Sequence, residues 1–300
     1  MTHGATGRLR SRIVFLWRLP AFIALFVAIF LVGSPVLALG GPERAGFPLL
    51  PSLLMLVAAI GAGSLMLYRV DGRAPGALGF AWTDRTGREL AIGFAIGVGA
   101  VAVAVLVAVL AGGLAYRADI GGVRAYGALL GEALILLSVA AVAEEALFRG
   151  YAFQVLVRAT GPVAATLVLS AAFAAAHARN PNVGALALAN IFLAGILLAV
   201  AYLRTRSLWF ASSLHVAWNW ATAALFDLPV SGLDVFDVPL YEPVVQGAGW
   251  LTGGAFGPEG GVVGLIGFSV ALLFVARLRG LEESAGMRAL RPLVDEETVP

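Results

Sequence analysis

Eight stretches of this chain are continuously apolar and close to the length of a bilayer span: 19–39, 49–68, 90–114, a long one from 126 to about 157, 162–176, 184–203, 208–226 and 261–276. About 20 apolar residues in helical form cross a hydrocarbon core. Inside lipid every backbone polar group has to be satisfied internally, so spanning segments are helices or strands of a closed barrel. These runs show no strict alternation, which argues against a barrel. The expected fold is all-α: a polytopic membrane bundle of about eight transmembrane helices. Composition agrees, since 60% of residues are hydrophobic and only 13% are charged, where a soluble domain carries about 25% charged residues. The basic start, up to Arg18, leads into an apolar run without a signal-peptidase pattern, so the first span is expected to be retained.

Charge placement gives an orientation. With eight spans both termini share one side. That side holds Arg8, Arg10, Arg12, Arg18, Arg69, Arg73, Arg85, Arg88, Arg158, Arg204, Arg206, Arg277, Arg279, Arg288 and Arg291, against Arg44, Arg117, Arg124 and Arg179 on the other. The first side is expected to be cytoplasmic, and the expected location is a bacterial plasma membrane. The longest opposite-side loop, 227–260, has five carboxylates and no Arg, as suits an exterior loop. Residues 281–300 are polar and expected to fray. A net charge of +2 is too small to suggest a nucleic-acid partner, and the absence of cysteine excludes disulfides and thiolate metal sites.

Against this background the segment Ala141-Val-Ala-Glu144-Glu145-Ala-Leu-Phe-Arg149-Gly150 stands out. A charge near a bilayer centre costs roughly 3 kcal/mol or more, so such groups usually face a protein interior or a water-filled cavity. Glu145 and Arg149 are i,i+4 neighbours on a helix and can pair. Glu144 points roughly 100° away and is free to face something else. Two of the three histidines lie in or beside apolar runs, each with an i,i+4 companion: Phe173 with His177, and His215 with Asn219. His215 and Asn219 can both donate to one oxygen. Asn190, in the sixth run, and Glu132, nearer the outer end of the fourth, are other polar residues within the spans. Each feature has a plain structural reading. A lone intramembrane His often serves helix packing, the two Glu could form a structural pair with Arg149, and Trp209, Trp218 and Trp220 could form an interfacial belt. A proton-coupled transporter would also place carboxylates here, although the paired inverted repeats common in transporters are not seen. Together, three helices contribute a base, a water partner and an oxyanion donor, which is what hydrolysis at a carbonyl requires.

Glu144-Glu145-xxx-Arg149, Phe173-xxx-His177 and His215-xxx-Asn219 match, in order and spacing, the three motifs of the CPBP family. That family comprises the CAAX proteases and bacteriocin-processing enzymes, also called Abi. The resemblance covers roughly 129–226 and runs through Asn190-Ile-Phe-Leu-Ala-Gly195 and Tyr202-Leu-Arg-Thr-Arg-Ser-Leu-Trp209; Arg206 stands where many members have Gly, a harmless departure. It implies an intramembrane glutamic endopeptidase. Glu144 would activate water, His177 would hold that water, and His215 and Asn219 would form the oxyanion hole. Glu145 and Arg149, with Phe173 and Asn190, would support the site. The family also includes non-proteolytic scaffolds or immunity factors, which remain an alternative reading, as does the transporter. The implied partners are a peptide or protein substrate, with membrane-anchored or lipidated proteins among the candidates, and the lipid bilayer itself. No cofactor and no metal are expected. One Glu and two His is also a zinc-protease ligand set, but the His-Glu-xx-His helix typical of zinc proteases is absent, so a zinc-dependent protease is the second choice. The expected division is 1–125 for about three N-terminal spans behind a basic cytoplasmic N-terminus, 126–226 for the CPBP-like catalytic core, 227–260 for the exterior loop, and 261–300 for the last span and cytoplasmic tail.

This reading has a geometric difficulty. Glu144 lies about 27 Å along the fourth run at helical rise, whereas His177 ends the fifth and His215 lies only about 10 Å into the seventh. For the three to meet, the fourth helix has to begin later or the fifth has to tilt or break, and 179–184 is expected to dip back toward a cavity.

Overall fold

The computed structural model of the protein describes residues 15–39 and 49–295. It is a helical bundle, 73% helix. In chain order the main elements are α1 (Arg18–Gly33), α2 (Leu49–Arg69), α3 (Thr86–Leu110), β1 (Leu114–Ala118), α4 (Val123–Phe148), α5 (Tyr151–Thr160), α6 (Pro162–Ala176), α7 (Ala185–Thr205), α8 (Leu208–Trp220), β2 (Tyr241–Val245), α9 (Val262–Arg277) and α10 (Ala285–Leu290). Each of the eight apolar stretches is helical. Five segments, Arg18–Leu37, Leu49–Arg69, Thr86–Leu110, Val123–Thr160 and Ala185–Thr205, are long and apolar enough to cross a membrane by length and composition. α6 and α9 are shorter apolar helices, and α8 runs on into a π-helical turn, Ala221–Leu225. His3, Arg8, Arg10, Arg12 and Arg44 lie outside the described residues.

The fourth apolar run is two helices rather than one. α4 stops at Phe148, and the chain turns at Gly150, with φ −74° and ψ −126°, before α5 begins. Glu144 and Glu145 therefore sit in the last turn and a half of α4. α6 is only 15 residues long and ends directly at His177. This removes the difficulty of depth: the ends of α4 and α6 meet the middle of α8.

α8 is the central helix. It packs most extensively on α3, and also on α4 and α7. The α3 contact rests on Gly93 and Gly97, a small-xxx-small pair of the kind that lets membrane helices approach backbone to backbone. A Cβ at Gly97 would lie 2.5 Å from the Leu214 carbonyl oxygen, and one at Gly93 would lie 2.8 Å from that of Phe210. α3 thus holds the backbone of α8 on both sides of His215. One hydrophobic core, with Val101, Leu197, Phe210 and Phe268, joins α3, α7, α8 and α9. A second, with Phe22, Leu67, Phe153 and Tyr202, joins α1, α2, α5 and α7. A small third core of Phe173, Ala174, Ala187, Ile191 and Phe256 lies beside the candidate site.

Arginines expected on one side do meet at one end of the bundle. Arg18 pairs with Asp71 at 2.6 Å, Arg85 with Glu282 at 3.2 Å and Arg206 with Asp295 at 2.6 Å, while Arg88 donates to the Gly280 carbonyl. Arg206 caps α7 with φ +57°, the left-handed conformation that glycine adopts without cost. That explains why glycine suits this position, and the Asp295 contact helps hold the arginine there.

Two features differ from expectation. Residues 281–295 do not fray: Leu281, Met287 and Leu293 are buried, and the Gln154 side-chain oxygen accepts the Leu293 N–H at 2.9 Å. Three apolar anchors in an otherwise polar tail are enough to dock it. The bundle also carries a two-stranded antiparallel ribbon, β1 with β2, in which Leu114 faces Val245 and Arg117 faces and pairs with Glu242. It ties the loop 227–260 to the end of α3.

Candidate active site

The side chains of α4 and α8 converge on one carboxylate. Glu145 is 0% exposed, and its Oε1 accepts hydrogen bonds from Arg149 Nη1 at 3.0 Å and from His215 Nδ1 at 2.9 Å. Arg149, 1% exposed, also donates to the Gly195 carbonyl of α7 at 3.3 Å, and its guanidinium lies 4.4 Å from the centre of the Phe173 ring. A buried charge is tolerated when it is paired and hydrogen-bonded, and here Glu145, Arg149, Gly195 and the Phe173 face provide both. The i,i+4 pairing read from the sequence is present.

Glu144 occupies a different setting. Its side chain is 27% exposed, and its Oε2 lies 3.8 Å from His215 Nε2, close enough for attraction but too long for a hydrogen bond. Because a carboxylate oxygen only accepts, the His215–Glu145 bond requires a proton on Nδ1 of His215. Its Nε2, on the far edge of the ring, is the nitrogen presented toward Glu144.

His177 caps the end of α6, and its Nδ1 bonds the Phe173 carbonyl oxygen at 2.8 Å. A carbonyl only accepts, so Nδ1 carries the proton and the neutral ring leaves Nε2 as an acceptor. The rings of Phe173 and His177 lie 4.7 Å apart, and those of Phe173 and His215 lie 6.1 Å apart, edge to face. Phe173 is therefore the spacer between the two histidines and also the face on which Arg149 rests. Asn219, one turn beyond His215 on α8, is half-buried, and its side chain makes no hydrogen bond among the described residues.

His177 and His215 line one small cavity of about 30 Å³, room for one or two water molecules. Its other walls include Phe173, Leu214, Trp218, Ser231, Glu259 and Phe268. Two of these wall residues had been given other places by the sequence. Trp218 is buried, stacked on Phe268 at 3.9 Å, and its indole N–H donates to Glu259 Oε1 at 2.8 Å, so it is a pocket residue and not part of a belt. Glu259 belongs to the loop 227–260, expected to be solvent-facing, yet it is 5% exposed. The loop segment that reaches the cavity is the one around Glu259, together with Ser231. Residues 179–184, expected to do so, contribute no wall; Asn180 instead donates to the Ser231 carbonyl at 2.9 Å.

Asn190, fully buried in α7, makes both of its bonds to this loop: Nδ2 donates to the carbonyls of Glu259 and Gly261, each at 2.8 Å. Its contact is with the loop behind the cavity. Glu132 is exposed on the first half of α4, away from the set. Among the described residues no three His, Asp or Glu side chains are gathered closely enough to hold a metal ion.

Residues 126–221 match the family described as Type II CAAX prenyl endopeptidase Rce1-like. The matched stretch runs from the start of α4 to just past the end of α8 and contains Glu144, Glu145, Arg149, Phe173, His177, Asn190, His215 and Asn219. Helices α1–α3 and everything after Ala221, Glu259 included, lie outside it. No curated protein matches the chain.

Proposed function

We propose that this chain, whose middle third resembles the CAAX prenyl endopeptidases, is an intramembrane endopeptidase that uses Glu144 to activate water and needs no metal. The observation that carries the reading is the orientation of the two histidines about one water-sized cavity. His177 is held by the Phe173 carbonyl with its Nε2 lone pair free, the group that accepts a hydrogen bond from water. His215 is held through Nδ1 by Glu145, so its Nε2 is the nitrogen available for the reaction.

The steps follow from these groups. Glu144 takes a proton from a water that also donates to His177 Nε2, and the water oxygen attacks the scissile carbonyl carbon. The carbonyl oxygen becomes an oxyanion, which His215 and the Asn219 amide hold by donating to it. Since Nδ1 of His215 already donates to Glu145, donation from Nε2 requires the doubly protonated imidazolium. With Glu144 and Glu145 negative and Arg149 and His215 positive, the set is neutral before the oxyanion forms. When the tetrahedral intermediate collapses, the C–N bond breaks and the proton held by Glu144 passes to the departing amine. The substrate is a peptide or protein presented at the membrane, where lipidated chains are the natural class given the resemblance.

The test is Glu144→Gln, which keeps shape while removing the base. Peptides from membranes containing the wild-type protein are compared by mass spectrometry with peptides from membranes containing the variant. Cleavage products present only with the wild type, at equal protein levels, support the reading. A purified Glu144→Gln protein with full activity would show that the base is misassigned.

A further inference from the structure

The cavity lined by His177 and His215 has one carboxylate on its wall, Glu259, and it is bonded very differently from Glu145. Glu259 is 5% exposed. Its Oε1 accepts from the Trp218 indole at 2.8 Å and its Oε2 from the Ser231 hydroxyl at 2.5 Å. Both donors are neutral. Among the described residues Glu259 makes no ion pair, whereas Glu145 has Arg149 and His215. Buried charges are normally paired or bound to a cation.

The segment that carries Glu259 is fixed in place, because Asn190 Nδ2 holds the carbonyls of both Glu259 and Gly261. Asn190 Oδ1, close beside those bonds, is a second buried acceptor with no donor among the described residues. A rigidly placed carboxylate, uncompensated in charge, facing a cavity large enough for one or two waters, has the shape and charge for a group that is cationic and no bigger than water. A primary ammonium fits that description. A guanidinium, with four heavy atoms in a plane, does not fit the space.

We propose that Glu259 is a specificity residue that recognises a primary ammonium group of the peptide being cleaved; what counts as substrate rests on the endopeptidase reading above. Two sources share this chemistry: a lysine side chain near the scissile bond, and the α-amine that hydrolysis releases.

The test measures binding in purified full-length protein in detergent, by thermal shift, and so does not depend on turnover. The probe is n-butylammonium chloride, with n-butanol plus sodium chloride as the neutral control at equal ionic strength. The expected result is saturable stabilisation by n-butylammonium and none by n-butanol. The apparent affinity should fall about tenfold or more in Glu259→Gln, while Glu144→Gln keeps the response. An equal response to n-butanol, or a response unchanged in Glu259→Gln, overturns the proposal. So does a response lost in Glu144→Gln and kept in Glu259→Gln, which would place the ammonium at Glu144. If Glu259→Gln does not accumulate, a response of the unmodified protein that does not favour n-butylammonium over n-butanol still overturns the proposal, and a favoured response that is lost in Glu144→Gln does so as well. Nα-acetyl-lysine N-methylamide and alanine N-methylamide then separate the sources: preference for the first assigns the site to a substrate lysine, preference for the second to the released amine, and binding of neither overturns the proposal. Failure here with Glu144→Gln inactive leaves the endopeptidase reading standing. Success here with Glu144→Gln fully active removes that reading's base while the ammonium site stands.

Discussion

The end of α4 and the loop 227–261 both carry carboxylates, and they handle them in opposite ways. At the end of α4, Glu145 is enclosed and each of its interactions brings positive charge or a donor, from Arg149 and from His215, while Arg149 in turn rests on the Phe173 face and donates to the Gly195 carbonyl. In the loop, Asp227, Asp234, Asp237 and Glu242 gather around one open cleft, where Arg117 pairs with Glu242. Burial, with help from Asp237, Asp234 and Glu242, pushes the Asp227 carboxyl up from 3.8 to about 6, against the pull of its bond from the Val238 N–H. The first region is stabilised by its charges and the second is strained by them. Removing a carboxylate should therefore have opposite signs in the two places.

The largest effect is expected at Glu145. Glu145→Gln leaves Arg149 buried without its partner charge, which should cost about 3–5 kcal/mol. The measurement is unfolding of the detergent-solubilised protein and its yield in membranes. A variant as stable as wild type would mean that the two regions do not differ as described. Next comes Asn219→Ala, which leaves the charge set alone and removes one donor of the proposed oxyanion hole. The catalytic constant should fall by about 10²–10³ with stability little changed, so kinetics and thermal unfolding separate it from Glu145→Gln. Metal content adds a further check. Elemental analysis of active enzyme, with activity measured after exhaustive chelation, should give full activity without stoichiometric zinc. Zinc whose removal abolishes activity and whose return restores it would recast His177 and His215 as ligands.

The smallest effect is in the loop and runs the other way. Because the folded-state pKa of Asp227 is raised, the folded loop holds a proton that the unfolded chain gives up between 3.8 and about 6. The contribution of this group is therefore fully present below that window and is lost as pH rises through it. Limited proteolysis of the loop should accelerate from pH 4 to pH 6 and level off above. Asp227→Asn should flatten that profile. It should also be neutral or slightly stabilising at pH 7, helped by the φ of +51° at this position, which Asn tolerates well.

The same contrast explains what could be read from the chain in advance. The helices were legible because lipid leaves a long apolar run few alternatives. Glu145 with Arg149, Phe173 with His177 and His215 with Asn219 were legible because each pair sits on a single helix, where an i,i+4 spacing is a distance. The break after Phe148 was not, since Arg149-Gly150 interrupts no apolar pattern. Glu259 was hidden for a different reason. It is one of five carboxylates in a polar loop, and what distinguishes it is contact with Trp218, Ser231 and Asn190, which lie 28 to 69 positions away. No local periodicity records such contacts. Asn190 was the available hint: an amide in an apolar helix needs partners, and its partners turned out to be backbone carbonyls of the loop.

The bond from Asn190 to the Glu259 and Gly261 carbonyls also has a consequence for the order of events at the ribosome. His215 and Glu259 are separated by 44 positions in the chain, which at 5–20 residues per second is about 2–9 s of synthesis. During that interval α4, α6, α7 and α8 can assemble, but the wall that Glu259 contributes does not yet exist and the amide of Asn190 has nothing to bind. The pocket around the two histidines is therefore finished only after Glu259 and Phe268 have been made and have folded back onto α8, so a nascent chain completes α4 to α8 well before it completes its pocket.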